Sequence, residues 1–362
     1  MTELEKARRI IDEADREIAR QFEKRMKAVE NAAKYKAENA LPVYDADREK
    51  QVIEKNAAYI TDDAIRSYYG IFQKSVMDVS KKYQERLLSG LRVAFCGTQG
   101  AFAHIAAKRI FPYARYVELD SFEKAYNAVL NAECECCVLP VENSFAGEVG
   151  QVIDLMFSGE LSVSGIYDMA VSQNLVGVKG CTVSDVKRVI SHPQAISQCD
   201  GYIKVHGFEA EEAESTASAA QKAALISDKS VAAIASGETA ELYGLDILEK
   251  DINESAKNTT RFAVFSRAPV SGEVENDRFI LLFTVNDEVG ALAKAVNIIG
   301  AHGFNMRVLR SRPVKNIPWQ YYFYVEAVGN KNSEDGKRMI NALSVCCESL
   351  KVAGCFNAPG VI

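Results

Sequence analysis

The 362-residue sequence has little of what several large protein classes require. It contains one tryptophan, four histidines and eight prolines. Its 43 basic residues are outnumbered by 49 acidic ones, and the net charge of -6 gives no electrostatic footprint for nucleic acid. No apolar run is long enough to span a bilayer, and no signal peptide is recognisable. We therefore expect a cytoplasmic, globular protein that binds neither nucleic acid nor membrane.

The nine cysteines do not form the pattern of a secreted disulfide framework, because their number is odd and the chain is long. Cys134, Cys136 and Cys137 are spaced like part of a metal knuckle, but no second Cys-x-x-Cys and no paired histidines accompany them. The run continues through Val138 and Leu139 as an apolar strand. We predict buried free thiols and no metal site.

Proline and glycine are absent from the first 41 residues, which is typical of an uninterrupted helix. Two further helices are predicted at about 45–60 and 62–88, and Gly90 ends the unit. The long first helix has too little chain beside it to cover its apolar stripe. We therefore predict that the all-helical unit at 1–90 pairs with a second copy.

Charged residues recur on the faces of these helices. Arg25 and Lys36 are eleven apart, which places both on one face of an α-helix, and Asp45 shares a face with Arg48. Arg8 does not fall on the Arg25 face and would serve another site or another subunit. The same pattern is also that of a solvated, charge-laced helix, so pattern alone leaves both interpretations open.

From Leu91 the pattern changes to strands that alternate with helices, as in an α/β fold with two lobes and a cleft. Leu91–Cys96 is a predicted strand, Gly97–Gly100 a turn and Ala101–Ile110 a helix, an order in which the N–H groups of the turn suit an anion. Further strands are predicted at 116–120, 136–141, 161–167, 174–178, 187–191, 208–214, 231–235 and 245–248.

Polar clusters follow several of these strands, at Glu142–Gly147, Ser191–Cys199, Ser215–Ala220 and Asn258–Phe262. Each has a structural interpretation by itself, with Asn143 in an Asx-turn, His192 in a turn and Ser215 as a helix N-cap. Their joint placement at strand ends is what a ligand cleft produces. In the last cluster Thr260 places a hydroxyl beside Arg261, whose guanidinium can bind a carboxylate through two hydrogen bonds.

Beyond a polar linker at 269–277, a third pattern predicts the order βαββαβ, which gives a ferredoxin-like sandwich. The predicted elements are a strand Phe279–Val285, a helix Gly290–Ala301, strands Asn305–Leu309 and Trp319–Val328, a helix Ser333–Ser349 and a strand Lys351–Phe356. The predicted fold class is therefore multidomain α and α/β.

Residues 3–88 resemble the all-helical chorismate mutases, whose order of arginine, arginine, lysine and Asp-x-x-Arg-Glu is matched by Arg8, Arg25, Lys36, Asp45, Arg48 and Glu49. The resemblance implies an intertwined dimer that converts chorismate to prephenate. No proton is transferred, so the protein clamps two carboxylates and stabilises charge on the ether oxygen. The resemblance assigns the carboxylates to the three arginines, with Arg8 reaching the partner's site, the ether oxygen to Lys36 and the substrate hydroxyl to Asp45.

On the last helix this family has a serine followed four residues later by Gln or Glu, which also contacts the ether oxygen. Ser75 matches the serine, but Val79 stands four residues further on and cannot donate a hydrogen bond. Loss of one such donor costs roughly a hundredfold in rate. We therefore expect either a weak mutase or another side chain in this role.

Residues 91–268 resemble the prephenate dehydratases in five ordered motifs: the Gly-x-x-Gly turn, Val-Glu-Asn-Ser, His-Pro-Gln-Ala, Ser-Thr-Ala-x-Ala-Ala and Asn-x-Thr-Arg-Phe. The family's site lies between two α/β lobes and uses no cofactor or metal. Prephenate loses its ring carboxylate as CO₂ and its ring hydroxyl as water, which gives phenylpyruvate. The resemblance assigns the donor that assists the leaving hydroxyl to Thr260. It implies a pocket formed by Asn143, Ser144, Gln198, Ser215, Thr216 and Arg261, with Glu142, His192 and Gly100 as substrate-binding residues.

Residues 278–362 resemble the ACT regulatory domain that follows such dehydratases and binds phenylalanine between subunits. Its second motif, usually Glu-Ser-Arg-Pro, begins here with Arg310. A base in place of an acid removes an acceptor for the effector's ammonium group and adds a repulsive cation, which leaves feedback open beside a structural dimerisation role. The effector-binding residues that the resemblance implies are Gly290, Ala291, Leu292, Asn305, Ser311, Arg312 and Pro313.

The sequence thus predicts three domains, at 1–90, 91–268 and 278–362, in a homodimer or larger homo-oligomer. Its substrates would be chorismate and prephenate, and its effector L-phenylalanine. Two alternatives stay open. One keeps the dehydratase and gives the helical segment, with a weak or inactive mutase, a dimerisation role. The other is a non-catalytic amino-acid sensor, because two-lobed α/β folds also bind ligands without chemistry.

Overall fold

The structure, a computed structural model, describes residues 2–38, 46–254, 258–267, 276–315 and 317–362. The side chains of residues 36–38, 46, 47, 85 and 89 lie outside this description, as does the predicted linker apart from residues 276 and 277. The chain divides into two compact units, Met1–Arg92 and Val93–Ile362. Within the described ranges, no helix is both long and apolar enough to cross a membrane.

The first unit contains the helices α1 (Glu3–Glu38), α2 (Ala46–Ala57) and α3 (Asp63–Ser89). Asp62 caps α3 by accepting a hydrogen bond from the N–H of Ala64 at 2.8 Å, and Gly90 ends it with a φ of +79°. α3 packs against both other helices. A single copy leaves much apolar surface uncovered, at Ile10, Ile11, Ile18, Phe22, Ile71 and Phe72 among others.

The second unit begins with a lobe built on a mixed sheet. Its elements are β1 (Arg92–Cys96), α4 (Phe102–Ile110), β2 (Arg115–Leu119), α5 (Phe122–Leu130), β3 (Cys136–Asn143), β4 (Gly147–Glu148), α6 (Gly150–Ser158) and β5 (Ser162–Ala170). β1 and β3 are parallel, and their central residues are buried without interruption. Such continuous burial is typical of strands that are covered on both faces.

A second lobe follows, with a five-stranded sheet in the order β10-β6-β9-β7-β8. Its elements are β6 (Asn174–Gly177), β7 (Arg188–Ser191), α7 (Pro193–Gln198), α8 (Asp200–His206), β8 (Glu209–Glu212), α9 (Thr216–Ile226), β9 (Val231–Ala235), α10 (Gly237–Tyr243) and β10 (Asp246–Glu249). The chain then returns to the first lobe as β11 (Thr259–Ser266), which lies between β5 and β3 and is antiparallel to both.

The C-terminal part has a sheet in the order β13-β14-β12-β15, and β15 continues it into the first lobe through one pairing with β5. The elements are β12 (Arg278–Thr284), α11 (Ala291–Ala301), β13 (Asn305–Pro313), β14 (Tyr321–Val328), α12 (Glu334–Cys346), β15 (Ser349–Phe356) and β16 (Gly360–Val361).

This C-terminal sheet packs on both of its faces. Successive residues of a strand point to opposite sides. Phe279, Leu281 and Phe283 of β12 pack with residues of α11 and α12, whereas Ile280 and Leu282 belong to the core of the first lobe. The C-terminal part and the first lobe therefore share one apolar core.

The predicted strand Asn305–Leu309 ends too early, because β13 continues to Pro313. The predicted strand stopped at Leu309 because the basic residues that follow match a separate motif. In the structure Arg310 and Arg312 are half-buried and alternate with exposed neighbours, as strand residues do. β4 and β16, of two residues each, were not predicted.

Candidate active sites

The first candidate site lies at the end of the β3–β11 strand pair. Thr260 pairs with Asn143 across the two strands, and Arg261 pairs with Glu142. Because successive side chains point to opposite faces, Asn143 and Thr260 share one face, and Glu142 and Arg261 share the other. A β-bulge follows immediately. The last two rungs of this ladder therefore present two different sets of side chains.

The amide of Asn143 has a fixed orientation. Its Oδ1 accepts hydrogen bonds from the backbone N–H groups of Phe145 at 3.0 Å and Ala146 at 2.9 Å, which form the Asx-turn. Its Nδ2 can only donate, and it lies 2.9 Å from the hydroxyl oxygen of buried Thr260. The hydroxyl proton of Thr260 therefore points away from Asn143 and is available to another acceptor.

Asn258 joins the two lobes at this site. Its Oδ1 accepts from Nδ2 of Asn143 at 2.9 Å, and its Nδ2 donates to Oε1 of Gln198, in the second lobe, at 2.9 Å. We call Asn143, Gln198, Asn258 and Thr260 the Thr260 site, and all four are buried. Asn258 was predicted only as the start of a motif. The sequence did indicate its place in the site, because Asn258 precedes Thr260 by two residues and residues two apart lie on one face of an extended chain.

A cavity of about 270 Å³ opens between the lobes beside this site. Its walls include Met169 and Ala170 at the end of β5, which are the sheet partners of Thr260 and Thr259. Two cations also line it, Arg109 of α4 and Lys250 after β10, together with Glu238 and Asp251. Arg109 pairs with Glu238, so the cavity wall contains both signs of charge from both lobes.

Two of the other predicted pocket residues support the backbone near the site. Oγ of Ser144 accepts the N–H of Thr259 at 2.9 Å, which ties the chain after β3 to the start of β11. His192 caps α7, with Nδ1 accepting the N–H of Gln194 at 3.2 Å, and burial lowers the pKa of this imidazole. Nε2 of Gln194 in turn lies 3.4 Å from Oδ1 of Asn143. His192 is therefore linked to the site through its neighbour.

Ser215 and Thr216 begin α9 in the second lobe. Ser215 forms a capping box with Ser218, so its hydroxyl already serves the helix start, and Thr216 is buried. Over the described residues, no hydrogen bond joins either side chain to the Thr260 site. Their predicted place in the pocket remains a prediction.

The Gly97–Gly100 turn does not present free N–H groups to an anion. The N–H of Gly100 donates to Nδ1 of His104 at 3.0 Å, and that of Gln99 donates to Oε2 of Glu118 at 3.1 Å. Gly100 has a φ of +90°, and a Cβ there would lie 3.2 Å from side chains of α10. This glycine permits a close contact between the lobes, and its predicted substrate-binding role remains a prediction.

Arg261 and Glu142 point away from the Thr260 site. Nε of Arg261 lies 2.9 Å from Oδ1 of Asp168, and its Nη1 lies 3.5 Å from Oε2 of Glu326. Oε1 of Glu142 accepts a hydrogen bond from Arg310. The alternation of strand side chains turns both to the face opposite Thr260. The catalytic role of Arg261 and the substrate-binding role of Glu142 remain predictions.

The second candidate site lies between α1 and α3 of the helical unit. Arg25 donates through Nη1 to Oγ of Ser80, which itself donates to a backbone carbonyl of α3. Gln84, four residues after Ser80, is buried, and its Oε1 has no hydrogen-bond partner among the residues that the structure describes. Burial lowers the pKa of Arg25. We call Arg25, Ser80 and Gln84 the Arg25 site.

Ser80, rather than Ser75, contacts Arg25, and Gln84 lies four residues further along the same face of α3. Ser75 is exposed and donates to the backbone of its own helix, and Val79 is 47% exposed. The two pairs are five residues apart, which rotates them by about 140° around the helix. The sequence contained both pairs at the same spacing, but only the packing of α3 on α1 shows which pair meets Arg25.

A cavity of about 460 Å³ opens beside Arg25, with the apolar side chains Ile18, Phe22, Phe72 and Val76 in its walls. Close by in the sequence of α3, Lys81 forms an ion pair with Glu49 of α2 at 3.1 Å.

The other residues predicted for the mutase are described only in part. Arg8 and Arg48 are exposed. Asp45 lies outside the described residues, as does the side chain of Lys36.

The predicted effector residues lie at the start of α11, where Leu292 packs against the core of the C-terminal part, and on β13, where all but one are exposed. Gly290 precedes α11 with a φ of +82°, and Ala291 and Leu292 form the first turn of this helix. On β13, Asn305, Ser311 and Pro313 are exposed.

The exception is Arg312, which is half-buried against the first lobe. Its Nε lies 3.0 Å from Oδ1 of Asp154, and its Nη1 pairs with Glu148. The predicted effector-binding role of Arg312 remains a prediction. Arg310 lies on the same face of β13 and pairs with Glu142, so the expectation that it repels an effector is corrected.

The cysteine cluster at Cys134, Cys136 and Cys137 consists of buried free thiols. Burial raises the pKa of Cys136 to about 12, which disfavours the thiolate that a metal requires. In the described part of the chain, no group of three or more His, Cys, Asp or Glu residues is placed to hold a metal ion.

Comparisons with known proteins divide the chain in the same way. The sequence pattern of prephenate dehydratases matches residues 93–270, and that of type II chorismate mutases matches residues 7–85. The bifunctional chorismate mutase/prephenate dehydratase of Escherichia coli (strain K12) is 30% identical over 361 residues, with 94% of this chain and 92% of that protein covered. The chain belongs to the bifunctional chorismate mutase/prephenate dehydratase family. Both catalytic domains are therefore present in one chain, which supports both activities rather than a non-catalytic sensor.

Two similar solved structures each cover 74% of this chain. One, described as a novel type of quorum quenching acylase, is 30% identical with a TM-score of 0.68 and is covered over 98% of its length. The prephenate dehydratase of Arthrobacter aurescens in complex with L-Phe is 24% identical, also with a TM-score of 0.68, and is covered over 90% of its length. At that identity the second likeness shows the fold alone.

Proposed function

We propose that the Thr260 site dehydrates prephenate, with Thr260 as the donor to the leaving hydroxyl. The observation that carries this assignment is the hydrogen bond from Nδ2 of Asn143 to the hydroxyl oxygen of Thr260. An amide that donates on one side directs the hydroxyl proton to the other side. The site therefore contains one buried O–H donor whose direction is set by a fixed neighbour.

This donor suits the chemistry of the reaction. As the ring carboxylate leaves as CO₂, the ring hydroxyl leaves with growing negative charge, and a hydrogen bond directed at that oxygen stabilises the transition state. A free threonine is a very poor acid, so we assign Thr260 an oriented hydrogen bond rather than the full transfer of a proton. The bond between Asn258 and Gln198 joins the lobes beside Thr260.

We propose that the Arg25 site rearranges chorismate. Arg25 and Arg48 would hold carboxylates, Lys36 the ether oxygen, Asp45 the substrate hydroxyl, and Arg8 would reach the site of a second copy. The buried amide of Gln84 would make the contact with the ether oxygen that Val79 cannot make. Its Oε1 has no partner among the described residues, and its Nε2 donates one long hydrogen bond, of 3.4 Å, to the carbonyl of Ser80. Rotation of the amide would exchange that bond for one to the ether oxygen. This argues against a weak or inactive mutase.

We propose that the catalytic segments at 1–90 and 91–268 act in a homo-oligomer. The exposed apolar side chains of α1 and α3 support a second copy that covers them. The cavity beside Arg25 has such apolar walls and would be closed by the same contact.

We propose that residues 278–362 form a ferredoxin-like ACT domain that binds L-phenylalanine as a feedback inhibitor. The exposed Asn305, Ser311 and Pro313 and the open turn at Gly290 support an effector site on the face away from the first lobe.

The dehydratase assignment is tested by Thr260→Ala in the full chain, with separate assays for prephenate formed from chorismate and phenylpyruvate formed from prephenate. We expect phenylpyruvate formation to fall at least about a hundredfold, because one donor to the developing charge is lost. Prephenate formation should be unchanged. The matched control is Thr259→Ala, whose side chain points to the other strand face, and undiminished phenylpyruvate formation in Thr260→Ala would refute the assignment.

The effector assignment is tested by calorimetric titration of the full chain with L-phenylalanine, followed by dehydratase assays at saturating effector. We expect binding heat and inhibition, both weakened by Ser311→Trp, which would fill the exposed face of β13. Absence of both heat and inhibition in the unmodified chain would leave the C-terminal part with a structural role.

A further inference from the structure

Two carboxylates face each other next to Asn143. Glu142 of β3 and Glu148 of β4 are directly paired across the strands, and Asn143 pairs with Gly147 on the next rung. Like charges that are directly opposite on one face of a strand pair repel each other. The side chains of Glu142 and Glu148 are only 29% and 30% exposed, so water screens this repulsion in part.

Arg310 of the C-terminal part lies between these two carboxylates. Its Nη2 donates to Oε1 of Glu142, and its Nη1 lies 3.8 Å from Oε2 of Glu148. Among the described residues, Arg310 is the cation that contacts both. Arg261 comes only within 4.0 Å of Glu142. Of these two carboxylates, Arg312 pairs only with Glu148.

The backbone beneath the Thr260 site depends on such side-chain contacts. A β-bulge between Arg261 and Phe262 separates the last two rungs of the β3–β11 pair from the rest of the ladder. Those two rungs carry Glu142 and Asn143. Glu142 and Asn143 also pair with Glu148 and Gly147 of β4, so the position of β4 beside β3 affects both residues. A displacement of the Glu142 carboxylate from Glu148 therefore acts on the strand pair that carries the amide of Asn143.

We propose that Arg310 is a positioning residue for the dehydratase site. By holding Glu142 and Glu148 together it fixes Asn143, and through Asn143 it directs the hydroxyl of Thr260. The inference rests on the proposed function of the Thr260 site. A glutamate at position 310, as in the usual Glu-Ser-Arg-Pro motif, would place a third carboxylate beside Glu142 and Glu148 and could not form these ion pairs. The positioning contact therefore depends on the arginine that this chain has there. The C-terminal part thereby contributes to the geometry of the catalytic lobe within one chain.

The test compares Arg310→Gln, Glu142→Gln and the double variant in the full chain, with Arg310→Lys as the conservative variant. Arg307→Gln is the matched control, because Arg307 is an exposed arginine of the same strand. Two quantities are measured: kcat and KM for prephenate, and the hydrogen exchange of backbone amides in peptides that span residues 140–148. The second measurement does not require turnover.

We expect Arg310→Gln to lower kcat about tenfold and to change KM less than threefold, because the guanidinium orders the donors and does not touch the substrate. Exchange in residues 140–148 should rise. Arg310→Lys should recover most of kcat, and Arg307→Gln should match the unmodified chain. The double variant should be no slower than Glu142→Gln alone, because both changes remove one contact.

Two results would overturn the inference: a kcat for Arg310→Gln within twofold of the unmodified chain with unchanged exchange, or losses in the two single variants that multiply fully in the double. If the unmodified chain forms no phenylpyruvate, the proposed function fails instead. In that case the exchange measurement still decides whether Arg310 orders this segment.

Discussion

The two candidate sites use different side chains in differently closed surroundings. The Arg25 site places a half-buried guanidinium on helices whose apolar faces stay exposed in one chain. The Thr260 site consists of neutral amides and one hydroxyl, all buried within one chain. A rearrangement that needs its two carboxylates clamped is served by cations, whereas loss of water is served by a directed hydrogen-bond donor.

In both sites, helix or strand geometry decides which neighbouring side chains share a face with the site residue and which point elsewhere. On α3, residues four apart keep Ser80 and Gln84 on the face that meets Arg25. On β11, adjacent residues face opposite ways, so Thr260 joins the neutral amides and Arg261 joins the carboxylates. Adjacent residues of a motif therefore do not have to serve the same site.

Among the variants that follow, the largest loss of activity is expected when the amide of Gln84 in the Arg25 site is removed. Gln84→Ala should lower the rate of prephenate formation roughly a hundredfold, because one donor to the ether oxygen is lost. Dehydration of added prephenate should stay within twofold. Val79→Gln is the matched control and should not raise mutase activity, because position 79 is exposed on another face of the helix. A mutase improved by Val79→Gln would show that the face was assigned wrongly.

A smaller effect is expected at the contact between the lobes. Asn258→Ala should lower the kcat of the dehydratase about tenfold, since it breaks the link between Asn143 and Gln198 without removing Thr260. Chorismate turnover should not change. Steady-state kinetics with prephenate measure the effect, and Asn127→Ala, at an exposed position of α5, is the control. Equal kinetics of the two variants would contradict the assignment.

The smallest effect concerns stability and is confined to the α/β unit. Burial, with a smaller contribution from Lys108, lowers the pKa of His104 below its ordinary value, and neutral Nδ1 accepts the N–H of Gly100. As the pH falls through that ordinary value near 6.5, the unfolded chain binds a proton that the folded chain does not. The free energy of unfolding should therefore decrease from pH 7.5 to pH 5.5.

His104→Gln should make this decrease shallower, whereas His206→Gln, at an exposed position, should leave it unchanged. Urea unfolding of the full chain at the two pH values, followed by near-ultraviolet circular dichroism, measures the difference. A steeper decrease in His104→Gln would contradict the sign.

Much of the fold and part of the site could be predicted from local pattern. The helices of the first unit and most strands of the second agree with their predicted bounds within a few residues, because their periodicity is local. Thr260 and Asn143 were named together, and the register of β3 and β11 does pair them. Arg261 and Glu142 were grouped with them, but they lie on the opposite strand face, because motif resemblance does not state which face of a strand each residue occupies.

The sequence by itself determined which elements form, in what order, and which donors and cations are available, because these follow from side-chain chemistry and short-range periodicity. Only the tertiary structure decided that Ser80 meets Arg25 and that Arg310 meets Glu142. These partners are 55 and 168 residues apart, and no local pattern specifies contacts over such separations. They form because packed helices and paired strands bring particular faces together.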